Sequence, residues 1–116
     1  MVFIESLAFT RRLHELAKTE AVEVLTAIQS DLLSNPERGR VVPGLGGIRK
    51  ARAADPMRGK GKRGGLRYLY LYLQVRQHVH LFFLFGKNEG EDVTERERQA
   101  LRKMADAVVK EGERHA

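Results

Sequence analysis

Residues 66–75 and 79–85, LRYLYLYLQV and VHLFFLF, are apolar at odd and even positions alike. Leu alternates with Tyr through the first run, and Val, Leu and Phe fill the second. Both runs are strongly β-prone, and Arg76-Gln77-His78 supplies a turn between them, so the spacing predicts an antiparallel hairpin. A strand with one apolar face can leave its other face to water. A hairpin that is apolar on both faces needs cover on both, and the flanking segments must provide it.

The flanks have the periodicities to do so. Val2 to Glu5 reads as a short strand. A helix follows, with Phe9, Leu13 and Leu16 spaced for one face. Thr19 is placed to cap a second helix whose apolar stripe is Val22, Leu25, Ile28 and Leu32, and Asn35-Pro36 stops it. Together these form a helical hairpin suited to packing on a sheet. Val41-Val42-Pro43-Gly44 and Gly46-Gly47 make an irregular approach to the next strand, Ile48 to Ala53. Asp55 to Gly65 holds one Pro and four Gly and reads as a loop. Gly86 to Gly90 is another loop. Thr94 caps a final helix, with Glu97 completing a capping box, and Leu101, Met104 and Val108 give that helix one apolar face. The tail from Glu111 to Ala116 is expected to fray. The predicted order is β-α-α-β-β-β-α: an α+β fold, a small antiparallel sheet with an N-terminal helical hairpin and a C-terminal helix. At 116 residues the chain is expected to be one domain spanning 1–116. With no cysteine it has no disulfide framework or thiolate metal site, which fits a reducing cytosol. Charges interrupt MVFIESLAFTRRLHELA too early for a signal peptide or a membrane span.

The charge is local. Arg49 to Arg67 holds eight of the chain's 21 Lys and Arg residues against one acid, Asp55, a net +7, whereas the rest carries 13 cations and 14 acids. So dense a cluster costs self-repulsion, and an anionic partner explains it, with the phosphates of a nucleic acid first. Within Ile48 to Ala53, Lys50 and Arg52 share one strand face and Arg49, Ala51 and Ala53 the other. Lys60, Lys62 and Arg63 interleave with glycines in GKGKRGG, where backbone N–H groups can approach an anion closely. Arg67 opens the next strand. These cations are read as an anion-binding set rather than a solvated charge run.

Tyr68, Tyr70 and Tyr72 share a strand face. Tyr70 and Tyr72 read as core, while Tyr68, beside Arg67, is the one expected to reach a ligand and stack a base. His78 and His80, at i and i+2, have the spacing of two metal ligands but no third by any recognisable spacing, and are read as surface or packed histidines. Glu89, Glu91 and Asp92 read as charge at the N-terminal end of the last helix. No Walker loop, nucleophile elbow or paired-carboxylate pattern is present, and Gly44 to Gly47 is too loose for a nucleotide fingerprint.

The strings GLGGIRKAR, GKGKRGGLRYLY and LFFLFGKNEGEDVTERERQAL resemble the RelE/HigB-type toxins of bacterial type II toxin–antitoxin systems, with the HigB-like branch the most similar. The resemblance covers nearly the whole chain. It implies a small cytoplasmic, ribosome-dependent endoribonuclease that cuts messenger RNA in the decoding site and so inhibits translation, without metal or cofactor. It also implies a cognate antitoxin, HigA-like with a helix-turn-helix, and contacts to ribosomal RNA. Residue by residue, Lys50 and Arg52 match the basic positions of the middle strand, and Arg67 matches the arginine that contacts the scissile phosphate. Lys87 fills the neighbourhood of the basic residue after the third strand. Catalysis is thus expected from Lys50, Arg52, Arg67 and Lys87, with RNA held by Arg49, Lys60, Lys62, Arg63 and Tyr68. RelE itself has a C-terminal Tyr implicated in proton transfer; the last helix and tail here contain none, which leaves that group open.

Cleavage without metal requires deprotonation of the 2′-OH, stabilisation of a phosphorane-like transition state and protonation of the leaving 5′-oxygen. Guanidinium forks of Arg52 and Arg67 suit the second task. A lysine among other cations, as Lys50 is, suits the proton transfers. Two other classes use the same features: a ParE-like inhibitor of DNA gyrase on the same scaffold, and an RNA- or ribosome-binding module without catalysis. A transcription repressor is disfavoured, since no helix-turn-helix spacing shows.

Overall fold

In a computed structural model of the chain, residues 1–53, 65–86 and 94–114 are described. Five strands form one sheet: β1 (Val2–Glu5), β2 (Arg40–Val41), β3 (Arg49–Ala53), β4 (Leu66–Leu73) and β5 (His78–Gly86). Three helices accompany them: α1 (Leu7–Ala17), α2 (Ala21–Ser34) and α3 (Glu95–Arg114). The strand order is β1-β5-β4-β3-β2, and every neighbour pair is antiparallel except β1 with β5, which is parallel. The α+β reading holds, but the sheet is mixed rather than wholly antiparallel. The α1–α2 hairpin returns the chain to the far side of the sheet, so β1 lies alongside β5 with both running the same way.

The β4–β5 hairpin has the two-sided cover its composition requires. On one face Phe9, Leu13 and Ala17 of α1 and Val24, Ile28 and Leu32 of α2 pack on Leu66, Tyr68 and Tyr70 of β4 and Val79, Leu81 and Leu84 of β5. On the other face Leu101 and Ala105 of α3 meet Leu69, Leu71, Phe82 and Phe85, with Leu45 and Ile48. Near the far end of α3 a Cβ at Gly112 would overlap a Leu73 methyl, so glycine lets helix and strand touch. A bulge reconciles the two clusters. Leu69 pairs with Phe83 but Tyr70 pairs with Leu81, so Phe82 is the extra residue and the inward parity of β5 changes from odd (Val79, Leu81) to even (Leu84).

β1 covers β5 only from His78 to Leu81. Beyond it, the Ser6 hydroxyl donates to the Phe82 carbonyl at 2.7 Å and Arg12 Nε donates to the Leu84 carbonyl at 3.2 Å. These side chains satisfy an edge that would otherwise be open to another strand. Ser6 also caps α1, accepting from the Phe9 amide at 3.0 Å.

Three local expectations are corrected. Thr19 does not cap α2; it sits in a 3₁₀ turn, Lys18–Glu20, and the stripe of α2 is Ala21, Val24, Ile28 and Leu32, which leaves Val22 74% exposed. The observed stripe keeps Ile28 and Leu32 but is rotated by about 50° from the predicted face, at about 100° per residue. On α3, Met104 is 38% exposed and Ala105 is buried in its place, in one cluster with Leu71 and Phe82. The helix also continues through Glu111 to Arg114 where fraying was expected. The Thr94–Glu97 capping box is formed: the Thr94 amide donates to Glu97 Oε1 at 2.9 Å and the Glu97 amide to Thr94 Oγ1 at 3.2 Å.

Candidate functional site

The α3-facing side of β2, β3 and β4 carries the cations. Antiparallel partners point to the same face, so register places them. Arg52 pairs with Arg67, and Arg40 pairs with Lys50. Lys50 and Arg52 are two residues apart on β3, so all four side chains share one face. They line a hollow of about 340 Å³ together with Val41, Val42, Pro43 and Ala51. The apolar wall is set from behind: Arg98 Nη2 donates to the Pro43 carbonyl at 2.7 Å and Arg102 Nη1 to the Gly44 carbonyl at 3.4 Å. From there the chain turns into β3 through Gly44, Gly46 and Gly47, at φ of 77°, 69° and 102°, a conformation side-chain-bearing residues avoid.

Arg67 is the buried member, 6% exposed, with Nη1 donating to the Gly65 carbonyl at 3.0 Å. Lys50 Nζ lies 5.7 Å from the centroid of the Phe85 ring, which draws the ammonium across β4 toward Arg67. Phe85 in turn stacks on Phe83, whose other neighbour is the Arg12 guanidinium, 5.8 Å from its centroid. None of Arg40, Lys50, Arg52 and Arg67 meets a carboxylate among the described residues. Like charges directly opposite on a sheet are destabilising, and a guanidinium out of water without a counter-charge is more so. On the described residues, such an arrangement offers an anion several cationic donors on one face.

Lys50, Arg52 and Arg67 therefore come together. Arg49 and Tyr68 do not, and both expectations are corrected. Arg49 points to the opposite face, where Nη1 donates to the carbonyls of Glu37 and Gly39 at 3.1 and 2.8 Å and Nη2 to the Glu37 carboxylate at 3.3 Å. It ties down the segment leading into β2. Tyr68 is fully buried under α1 and α2, its hydroxyl accepting from Arg38 Nη1 at 3.2 Å. No base can stack there, and burial pushes the Tyr68 hydroxyl up to about 12, well away from proton transfer near neutrality. Tyr70 is core as expected, accepting from the Gly39 amide at 2.9 Å and donating to the Pro36 carbonyl at 2.8 Å. Lys60, Lys62, Arg63 and Lys87 lie outside the described residues.

Arg40 is the member that the sequence reading missed. Its strand is two residues long, shorter than any period can register. Only its pairing with Lys50 reveals it. At the other end of the same face a second, mostly apolar groove of about 470 Å³ runs beside α3, lined in part by Ile4, Leu73, His78, His80 and Val108. Burial and the neighbouring His78 hold the His80 imidazole below its usual range. Among the described residues no three His, Asp or Glu side chains group as metal ligands. Nor, among them, is any helix long and apolar enough to cross a membrane.

Residues 8–115 match the model of a family described as the RelE toxin of the RelE/RelB toxin–antitoxin system. The fold is similar to that of isolated Escherichia coli RelE, at 16% identity and a TM-score of 0.53, over 89% of this chain and 97% of that one. A double-arginine mutant of the same toxin in the free state gives 18% identity and a TM-score of 0.57, over 85% and 94% of the two chains. The intact E. coli RelBE toxin–antitoxin complex gives 17% and 0.53, over 76% and 96%.

Proposed function

The chain belongs to the RelE toxin family, and from that premise we propose that it is the toxin of a type II pair that cuts messenger RNA on the ribosome. The observation that carries the reading is the hollow itself: among the described residues that line it are four cations, one of them buried, and no carboxylate. That donor set suits a phosphodiester and does not suit a metal ion, so the reaction is read as metal-independent.

In the proposed reaction the ribose 2′-oxygen attacks the adjacent phosphorus, and the bond from phosphorus to the 5′-oxygen breaks. The products are a 2′,3′-cyclic phosphate and a 5′-hydroxyl. Arg67 and Arg52 bind the non-bridging oxygens and gain strength as charge builds on the phosphorane, in a site already paid for in folding energy. Arginine does not give up its proton in proteins. Lys50 is the one side chain among the described lining residues able to exchange one, and is assigned the transfers from the 2′-oxygen and to the 5′-oxygen. Lys87, Lys60, Lys62 and Arg63 are proposed to extend the cationic surface along the strand of RNA. The HigB-like branch and a HigA-like, helix-turn-helix antitoxin are proposed from the sequence blocks; the likeness to a toxin–antitoxin complex supports an antitoxin as partner. The cytoplasm, where ribosomes are, is the proposed location.

The test is to induce the chain and map new 5′ ends on cellular messenger, with translation running and with initiation blocked. New ends within translated frames that vanish when initiation is blocked are expected. Ends that persist without translation would remove the ribosome from the reading. No new ends, together with loss of gyrase supercoiling by the purified chain, would replace the nuclease with a gyrase inhibitor. No new ends with supercoiling intact would leave a binding module.

A further inference from the structure

We infer that Arg40 forms a second phosphate subsite, one nucleotide away from the Arg52–Arg67 pair, and that it positions the RNA strand in the hollow. The inference rests on reading the hollow as a ribonucleotide site and extends it from one phosphate to two.

Three arginines sit in or beside the segment entering β2, and two of them are spent on structure. Arg38 donates to the Arg52 carbonyl and the Tyr68 hydroxyl, both at 3.2 Å. Arg49 holds Glu37 and Gly39. Arg40 makes no hydrogen bond or ion pair among the described residues, yet its pairing with Lys50 aims it into a hollow that already contains three cations. It is exposed, adds like charge to the hollow and makes no bond to the described residues, so nothing in the described fold holds its guanidinium away from a ligand.

The register gives the spacing. Arg52 and Arg67 form one cross-strand row, and Arg40 and Lys50 form the next. Rows two residues apart are offset by about 6.6 Å along the strands, and Arg40 lies one strand spacing of about 4.8 Å beyond Arg52, so their backbones are about 8 Å apart, within side-chain reach of phosphates one sugar–phosphate repeat apart. Lys50 does not stay in its row, because its ammonium leans over Phe85, beside Arg67. The cations therefore divide three to one. Lys50, Arg52 and Arg67 surround the reacting phosphate, and Arg40 stands alone where the neighbouring phosphate falls. Val42 and Pro43 form the apolar wall along which the intervening sugar would lie.

The test measures binding to the purified chain by calorimetry at constant ionic strength. The probes are adenosine 3′,5′-bisphosphate, adenosine 5′-diphosphate and adenosine 3′-monophosphate. The first two are isomers that place their phosphates one repeat apart or adjacent; the bisphosphate carries the greater negative charge, so the change in their ratio on replacing Arg40 is the readout. The parent is expected to prefer the bisphosphate over the diphosphate by about tenfold, the contribution of one charge-assisted contact. Arg40→Ala should bring that ratio to within twofold, weakening the bisphosphate more than either the diphosphate or the monophosphate. Arg40→Lys should keep part of the preference, and circular dichroism confirms that each variant is folded. A preference that survives in Arg40→Ala, or a parent that does not distinguish the two isomers, overturns the second subsite and leaves the first standing. A parent that binds none of the three probes overturns the ribonucleotide reading of the hollow as well.

Discussion

Arg67 concentrates the conflict between stability and function in one side chain. It is buried, faces Arg52 across the strand pair, and among the described residues donates to the Gly65 carbonyl. Replacing it with methionine keeps most of the volume and removes the charge. Messenger cleavage in Arg67→Met should fall by about 10²–10³, the usual effect of losing one transition-state donor. Its unfolding free energy from urea titration should stay level or rise, by up to about 1 kcal/mol, because a buried charge with no counter-charge among the described residues gives little to the fold. A variant that is inactive because it unfolds would refute this account. The two core tyrosines give an opposite signature. Tyr68 is pushed from 10.0 up to about 12 by burial, and burial raises Tyr70 in the same direction. Above pH 10 the unfolded chain loses protons that the folded chain keeps, so stability should decline from pH 10 toward 12. Tyr68→Phe, followed by urea titration across that range, should flatten the decline. Parity in the sequence already separated Tyr68 from Arg67, since neighbours on a strand face opposite ways. It did not say which face the α1–α2 hairpin covers, and so the tyrosine was assigned to the wrong side of the sheet.

Elements whose cause is local were legible. The Thr94–Glu97 box depends on four consecutive residues and forms as written, each partner satisfying the other's amide. Thr94→Ala should cost about 1 kcal/mol in urea unfolding. Adding Glu97→Ala should cost less than the sum of the single changes, since either change breaks the reciprocal pair. The β4–β5 hairpin was legible for the same reason. The pairings that were not legible are long-range. β1 lies parallel to β5, 76 positions later in register, and no turn residue announces it. β2 exists only because β3 is beside it. The Phe82 bulge was hidden because Phe82 and Phe83 are both apolar, so no break in hydropathy marks the change of parity. Gly39 shows how such an element is held. A Cβ there would lie 2.7 Å from the Tyr70 ring and 3.0 Å from the Lys50 carbonyl. Gly39→Ala should therefore cost about 1–3 kcal/mol as an overpacked contact, read by thermal melting, and loosen the β2 side of the hollow.

Taken together, the sheet is closed on one face by α1 and α2 and only partly covered on the other by α3. Beyond the reach of α3, the described residues of that face bring Arg40, Lys50 and Arg52 together over the buried Arg67, within a chain of formal net charge +6. A molecule built this way is more stable with its anion than without it. Any ligand that binds the folded state alone stabilises it, by about 1.4 kcal/mol at ten times its dissociation constant. Inorganic phosphate, as the minimal stand-in for the reacting group, should therefore raise the melting temperature by roughly 4–6 °C at that occupancy. Phosphate is also a generally stabilising salt, excluded from protein surfaces, and that part must be subtracted. Arg52→Ala/Arg67→Ala provides the subtraction. Its melting temperature without phosphate should equal or exceed that of the parent, because the cross-strand repulsion is gone. Its rise with phosphate should shrink to what sulfate and phosphate share as excluded salts, without the saturation of a binding curve. A double variant that keeps the parent's full, saturating response would mean that phosphate is held elsewhere on the molecule, and the hollow would lose its claim to the substrate.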